Sequence, residues 1–255
     1  MYYDINVFLI FILGLIVGSF SNVCIYRIPR NESIIYPASH CPKCHSNISP
    51  GDNIPLLSYI LLKGRCRNCK SKISIQYPIV ELLTGLIYLI IYLVYGFSVQ
   101  TLIYIILSSA LIIIAFVDLN EQIVPDVISL PGTVIGFILS FFVPYISFIN
   151  SALGVVAGGG IILVIGSAGS IIFKKEAMGG GDVKLAAMIG AFLGLRYIVI
   201  SLFLGFFLGA LAGIFLIMSK IKSRKDVVPF GPFIVLGSFI TLLWGDKIIS
   251  WYLGF

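Results

Sequence analysis

Long apolar stretches separated by short polar connections run through this chain. A bilayer crossing takes about 20 apolar residues in a helix. On that basis the pattern predicts spans near 5–27, 77–96, 99–117, 127–144, 148–173, 183–195, 197–219 and 230–250. The fold class is therefore an all-α integral membrane protein of about eight transmembrane helices. The first segment has no basic stretch before it and is long enough to span, so it reads as a retained helix. The fifth has a candidate break at Gly158-Gly159-Gly160, and the sixth is short enough to start in the glycine-rich turn before it or to be tilted. Gly205, Gly209 and Gly213 recur every fourth residue, a small-residue stripe for close packing within the bundle.

Composition agrees with this pattern. Of 255 residues, 59% are hydrophobic and 11% charged, against about 25% charged in soluble domains. The net charge of +6 reflects topology, and no nucleic-acid partner is expected. Fifteen of the 17 Lys and Arg fall in three connections. Arg27, Arg30, Lys43, Lys63, Arg65, Arg67, Lys70 and Lys72 lie in 27–76, and Lys174, Lys175 and Lys184 in 174–184. Lys220, Lys222, Arg224 and Lys225 lie in 220–225. The positive-inside rule puts these connections in the cytoplasm, with Arg196 and Lys247 opposite and both chain ends outside. Three parts result: a first transmembrane helix (1–27), a polar segment (28–76) and a membrane domain of about seven helices (77–255). No internal sequence repeat is evident.

The polar segment carries Cys41-Pro-Lys-Cys44 and Cys66-Arg-Asn-Cys69, with 21 residues between the pairs. Two such knuckles point to a tetrahedral site in which Cys41, Cys44, Cys66 and Cys69 hold a structural zinc. The segment then reads as a small zinc-ribbon-like domain inserted between helices 1 and 2. Two disulfides are the rival, which a reducing cytoplasm disfavours. A segment this small has little core of its own, so metal binding would supply folding energy. Lys43, Arg65, Arg67 and Lys70 would offset the thiolate charge. His40 and His45 read as neighbours of the site rather than ligands, and Cys24 as a packing residue.

Carboxylates near hydrocarbon are costly, at roughly 2.5–3.5 kcal/mol at a helix centre. Asp182 follows Gly179-Gly180-Gly181, a glycine run that permits a tight turn and close approach of a substrate backbone. An ordinary helix N-cap explains it equally well. Among Asp118, Glu121 and Asp126, Asp118 leads because it abuts a long apolar run. Asp126 follows Pro125 and fits a cap, while Glu121 fits a solvated loop. Two carboxylates sharing one proton, one activating water and the other polarising a carbonyl, would make an aspartyl protease. Glu81 reads first as a carboxylate near a helix N-terminus, with a substrate or cofactor role as the alternative. Lys184 reads as snorkelling to the interface. It could also keep Asp182 ionised or hold a substrate carboxylate.

An ordered set of motifs resembles bacterial type IV prepilin peptidases, and Gly179-x-Gly181-Asp182 matches the GxGD motif of membrane aspartyl proteases. The set comprises Gly18-Ser19-Phe20-x-Asn22-Val23, the paired knuckles, Tyr77-Pro78-Ile79-Val80-Glu81-Leu82-Leu83-Thr84-Gly85, Asp118-Leu119, Val124-Pro125-Asp126, Gly179 to Lys184, and Pro229-Phe230-Gly231-Pro232. It covers nearly the whole chain. The resemblance implies catalysis by Asp118 and Asp182 on the cytoplasmic face of the bacterial inner membrane. The partners it implies are membrane lipid and type IV prepilin-like precursors, which lose a basic leader. It also implies N-methylation with S-adenosylmethionine, although no nucleotide-binding fingerprint is present. The competing classes are a transporter using the two Asp as proton carriers, with 158–160 as a broken helix, and a zinc scaffold without catalysis.

Overall fold

The protein was analysed as a computed structural model that describes residues 2–143, 146–174, 178–223 and 228–254. Among these it is all-helical: α1 (Tyr2–Arg27), α2 (Leu57–Leu61), α3 (Gln76–Tyr95), α4 (Val99–Glu121), α5 (Asp126–Leu139), α6 (Phe148–Phe173), α7 (Gly180–Met218) and α8 (Gly231–Leu253). All but α2 and α5 contain stretches long and apolar enough to cross a membrane, six among the described residues. Lys175, Arg224 and Lys225, three of the basic loop residues, lie outside the described residues, as does the end of the span expected at 127–144.

Two compact units divide the chain inside α4, residues 1–113 and 114–255. In the first, α1 packs closely on α3: a Cβ on Gly18 would come within 2.7 Å of the Glu81 Cα. Asn22 donates across this seam to the Tyr77 carbonyl at 3.0 Å. Tyr88 shares a hydroxyl hydrogen bond of 2.6 Å with Ser109 of α4. Cys24 is buried, as a packing residue should be.

In the second unit the seam between α6 and α7 is made of missing side chains. A Cβ on Gly154 would strike the Gly190 carbonyl, and one on Gly158 the Ala186 carbonyl. Small residues at four-residue spacing let backbones meet, which replaces the hydrophobic drive that lipid cannot supply. Of the glycines at 158–160, Gly158 serves this packing while Gly160 faces open space, and α6 continues through them without the expected break. That removes the broken helix on which the transporter reading leaned. In the stripe on α7, Gly205 and Gly209 receive Phe233, Ile234 and Phe230 of the α8 region, while Gly213 faces open space.

The break expected near Arg196 occurs at Gly194, whose φ of 78° and ψ of 177° interrupt α7. Only glycine tolerates that backbone cheaply. The Leu195 N–H freed there donates to Asn150 Oδ1 at 3.1 Å, and Ser151 donates to the Ala191 carbonyl at 2.7 Å. The first arm of α7 begins at Gly180, so the short sixth segment does start in the glycine turn. At 14 residues, α5 reaches only about 21 Å, less than the span expected there. It ends where Ser140 turns its hydroxyl onto the Phe137 carbonyl at 2.6 Å.

Candidate active site and metal centre

At one end of the second unit α4 finishes and α5, α7 and α8 begin. An open cleft of about 230 Å³ lies there, lined by Asp118, Gln122, Ile123, Val124, Asp126, Gly179, Gly181, Asp182 and Lys184. Helix α4 runs four residues past its expected end because nothing breaks it before Gln122. That residue, at φ 57°, returns its N–H to the Asp118 carbonyl at 2.9 Å. Asp118 is consequently in the last turns of a helix, 5% exposed. Glu121, expected mid-loop, is the last residue of α4. It is exposed and does not line the cleft.

Asp118 Oδ2 accepts the Gly231 N–H at 2.9 Å. Gly231 opens α8, so the carboxylate meets the positive end of a helix dipole. A Cβ at Gly231 would lie 2.6 Å from that same oxygen. Sequence reasoning quoted Pro229-Phe230-Gly231-Pro232 without giving it a role. Its one legible signal was a glycine between Phe and Pro at a helix start.

Asp182 is the third residue of α7, not its cap. Gly179 occupies the cap position, and its N–H points at the Asp182 carboxylate, as in a capping box. Asp182 is 9% exposed, and the charge of Asp118 acts on it across the cleft. The three glycines differ in use. A Cβ on Gly181 would meet Val124 Cβ at 2.9 Å, whereas Gly180 faces open space. None of the three has positive φ, so what the turn demands is the missing side chain at Gly181 rather than a special backbone.

Lys184 binds both oxygens of Asp126, at 2.7 and 2.8 Å. The pair is solvent-exposed at the cleft's edge. Lys184 therefore pairs with Asp126 rather than with Asp182, and Asp126 caps nothing, since α5 has Pro125 at its cap and no side-chain cap bond. Glu81 belongs to the first unit and does not line this cleft. It is buried within α3 and its Oε2 accepts the Leu56 N–H at 2.8 Å.

The four clustered cysteines meet in the first unit, their Sγ atoms all within 4.8 Å of one another. Cys41 and Cys69 are 3.8 Å apart and Cys44 and Cys66 4.0 Å apart. A tetrahedral ion with Zn–S bonds near 2.3 Å needs sulfurs about 3.8 Å apart, so the donor set fits zinc. All four are free thiols, as the metal reading requires. The knuckles are two copies of one local structure. Cys41 and Cys66 each accept an N–H from four residues on, His45 and Lys70, and donate to Ser46 and Ser71. His45 and Lys70 share a left-handed backbone. Aligned, Cys41–Ser49 and Cys66–Ser74 both read Cys-x-x-Cys-x-Ser-x-Ile-Ser, an internal repeat that the hydropathy pattern does not reveal. The repeated serines place hydroxyls 2.9 Å from Cys44 and 3.1 Å from Cys69. The Cys44 N–H, followed by that of Lys43, draws the Cys41 thiol down to about 6 against its partial burial. Arg67 is engaged elsewhere, binding both oxygens of Asp52 at 2.6 Å and holding that carboxyl below its usual range. His40 and His45 stack on each other at 6.0 Å and are not part of the cluster.

Comparison with known proteins adds the family. Residues 12–95 match the family model described as Bacterial Peptidase A24 N-terminal domain, and residues 105–214 that of the Type IV leader peptidase family. A Pseudomonas putida protein named prepilin leader peptidase/N-methyltransferase is 34% identical, over 94% of this chain and 91% of its own. Proteins of the same name from Aeromonas hydrophila and Neisseria gonorrhoeae are 35% and 34% identical, covering 96% and 95% of this chain and 93% of their own. No solved structure matches. With whole-length relatives at this identity and two adjoining peptidase models, the chain belongs to the prepilin leader peptidase/N-methyltransferase family of membrane peptidases.

Proposed function

We propose that this protein is an aspartyl endopeptidase that removes the leader from type IV prepilin-like precursors, with Asp118 and Asp182 as the catalytic pair. The observation that carries this reading is their placement. Two buried carboxylates from separate helices line one open cleft. An ionised carboxylate takes a proton from water, and the water oxygen attacks the scissile carbonyl carbon. The protonated partner gives its proton to the carbonyl oxygen. Collapse of the tetrahedral intermediate breaks the C–N bond as a proton passes to the leaving amine. Gly231 holds one Asp118 oxygen, leaving the other for water. The open face beside Gly180 admits an extended peptide. Gly179 and Gly181 complete the turn, with Lys184, Asp126 and Gln122 at the edge.

Around this site we read eight crossings, with the two arms of α7 and the short α5 each counted as one. The concentration of basic residues in 27–76, 174–184 and 220–225 favours a cytoplasmic face of the inner membrane for both the Asp pair and the 28–76 zinc domain. The four cysteines would hold a zinc ion that fixes the knuckles, a structural contribution. The relatives' names also carry N-methyltransferase, so we include methylation of the newly exposed N-terminus with S-adenosylmethionine as donor. No described residue is assigned to that donor.

The reading is tested by incubating purified protein in lipid with a type IV prepilin and following the size of the product. Release of a short basic leader supports it, and an intact precursor under all lipid conditions rejects it. Label transferred from methyl-labelled S-adenosylmethionine to the cleaved pilin tests the second activity separately.

A further inference from the structure

The short helix α2 is built inside out for a helix facing water. Leu57, Ile60 and Leu61 stand at i, i+3 and i+4 and so share one face, and they are 57%, 68% and 77% exposed. The polar residue between them, Ser58, is buried. Its hydroxyl donates to the Gly51 carbonyl at 3.2 Å and accepts the Ile54 N–H at 2.9 Å.

A second observation fixes the height of this helix. Leu56, at the start of α2, donates its N–H to Glu81 Oε2 at 2.8 Å. Glu81 lies one turn and a half into α3, about 7.5 Å from its first residue. Helix α3 is long and apolar enough to cross a membrane, and Ile75, Ile79 and Leu82 expose apolar surface at that level. Amphipathic helices lie about 5–10 Å into the boundary between headgroups and acyl chains. With the bilayer boundary set near the first residue of α3, the hydrogen bond holds α2 at the depth where exposed leucines are stable. Lys63 and Arg65 follow directly and are exposed, which suits anionic headgroups.

We propose that α2 is a membrane wedge, inserting Leu57, Ile60 and Leu61 into the bilayer interface while Lys63 and Arg65 engage anionic phospholipid, so that the knuckle domain is held against the membrane. This rests on reading α1 and α3 as crossing helices.

The test uses the full chain in phosphatidylglycerol-containing vesicles, with both native tryptophans, Trp244 and Trp251, changed to Phe. Single probes are Ile60→Trp and Leu61→Trp on the wedge, Asn68→Trp on a knuckle and Ile90→Trp inside α3. Lipid brominated near the headgroup end of its chains should quench Ile60→Trp and Leu61→Trp, while iodide quenches Asn68→Trp. Ile90→Trp should respond to lipid brominated deeper. Iodide quenching of both wedge probes as strong as at Asn68→Trp would overturn the proposal. So would quenching of the wedge probes by neither agent, which would indicate a protein covering the face. Failure of Ile90→Trp to respond to any brominated lipid would instead overturn the crossing of α3 itself.

Discussion

Gly231 donates its backbone N–H to Asp118 Oδ2 at 2.9 Å, joining the end of α4 to the start of α8 across 113 residues of sequence. The contact is possible because Gly231 has no side chain, since a Cβ there would stand 2.6 Å from the same oxygen. A residue without a side chain thus orients the carboxylate proposed as catalytic.

Gly231→Ala should lower kcat by about tenfold or more, the equivalent of a lost hydrogen bond to a charged group at roughly 1.5–3 kcal/mol. KM should change little, because the substrate is not touched. Steady-state kinetics on a prepilin peptide checks this. An unchanged kcat, or a loss confined to KM, would remove Gly231 from the account.

One zinc per chain is expected by metal analysis, and Cys41→Ser or Cys66→Ser should abolish it. Metal binding needs thiolates. The Cys41 thiol is lowered from the ordinary 9.0 to about 6. A group lowered on folding favours the folded form above its unfolded value, and that advantage fades as pH falls toward the folded value. Against the pull of the Cys69 N–H, burial and its neighbours move Cys66 the other way. Bound zinc itself holds thiolates deprotonated, so zinc affinity should weaken progressively on acidification as protons compete for the four sulfurs. Zinc affinity independent of pH across the acid range would contradict thiolate ligation.

The Lys184–Asp126 pair is exposed, and such pairs are worth about 0–1 kcal/mol. Asp126→Asn should leave substantial cleavage activity and shift unfolding by less than about 1 kcal/mol. Glu121→Gln, outside the cleft, should also retain activity. Loss of turnover in Asp126→Asn with full activity in Asp118→Asn would move the catalytic role to Asp126.

Gly194→Ala forces a side chain onto a positive-φ backbone and toward Asn150 Nδ2, 2.6 Å away. Strain of this kind is about 1–3 kcal/mol, so detergent-solubilised protein should unfold at a lower temperature, while zinc content stays intact. An unchanged melting temperature would show that the kink straightens freely.

Sequence pattern made the long helices legible because length and apolar continuity alone mark a crossing. It located α1, α3, α4 and α6 closely. It placed the break in α7 by the charge of Arg196, whereas the backbone breaks two residues earlier at Gly194, where φ decides. The four cysteines were legible from spacing. Their serine partners are carried by the repeat Cys-x-x-Cys-x-Ser-x-Ile-Ser, which the hydropathy pattern does not reveal. Asp118 and Asp182 stood out by their cost beside apolar runs. The partners that orient the cleft did not: Gly231 and the Lys184–Asp126 pair come from positions 113 and 58 residues apart. Only packing brings such residues together. Glycines were visible as a class, but which of them face a neighbouring backbone depends on helix rotation, which composition does not encode.

The central claim is tested most directly by leader release from a type IV prepilin by Asp118→Asn, Asp182→Asn and the double variant, each shown to be folded and zinc-loaded. Asn keeps the shape of the carboxylate but neither gives nor takes the proton. Each single change should abolish turnover, and the double change should cost little more, because residues that act as a unit are not additive. Full activity in Asp182→Asn, with the protein intact, would contradict the mechanism.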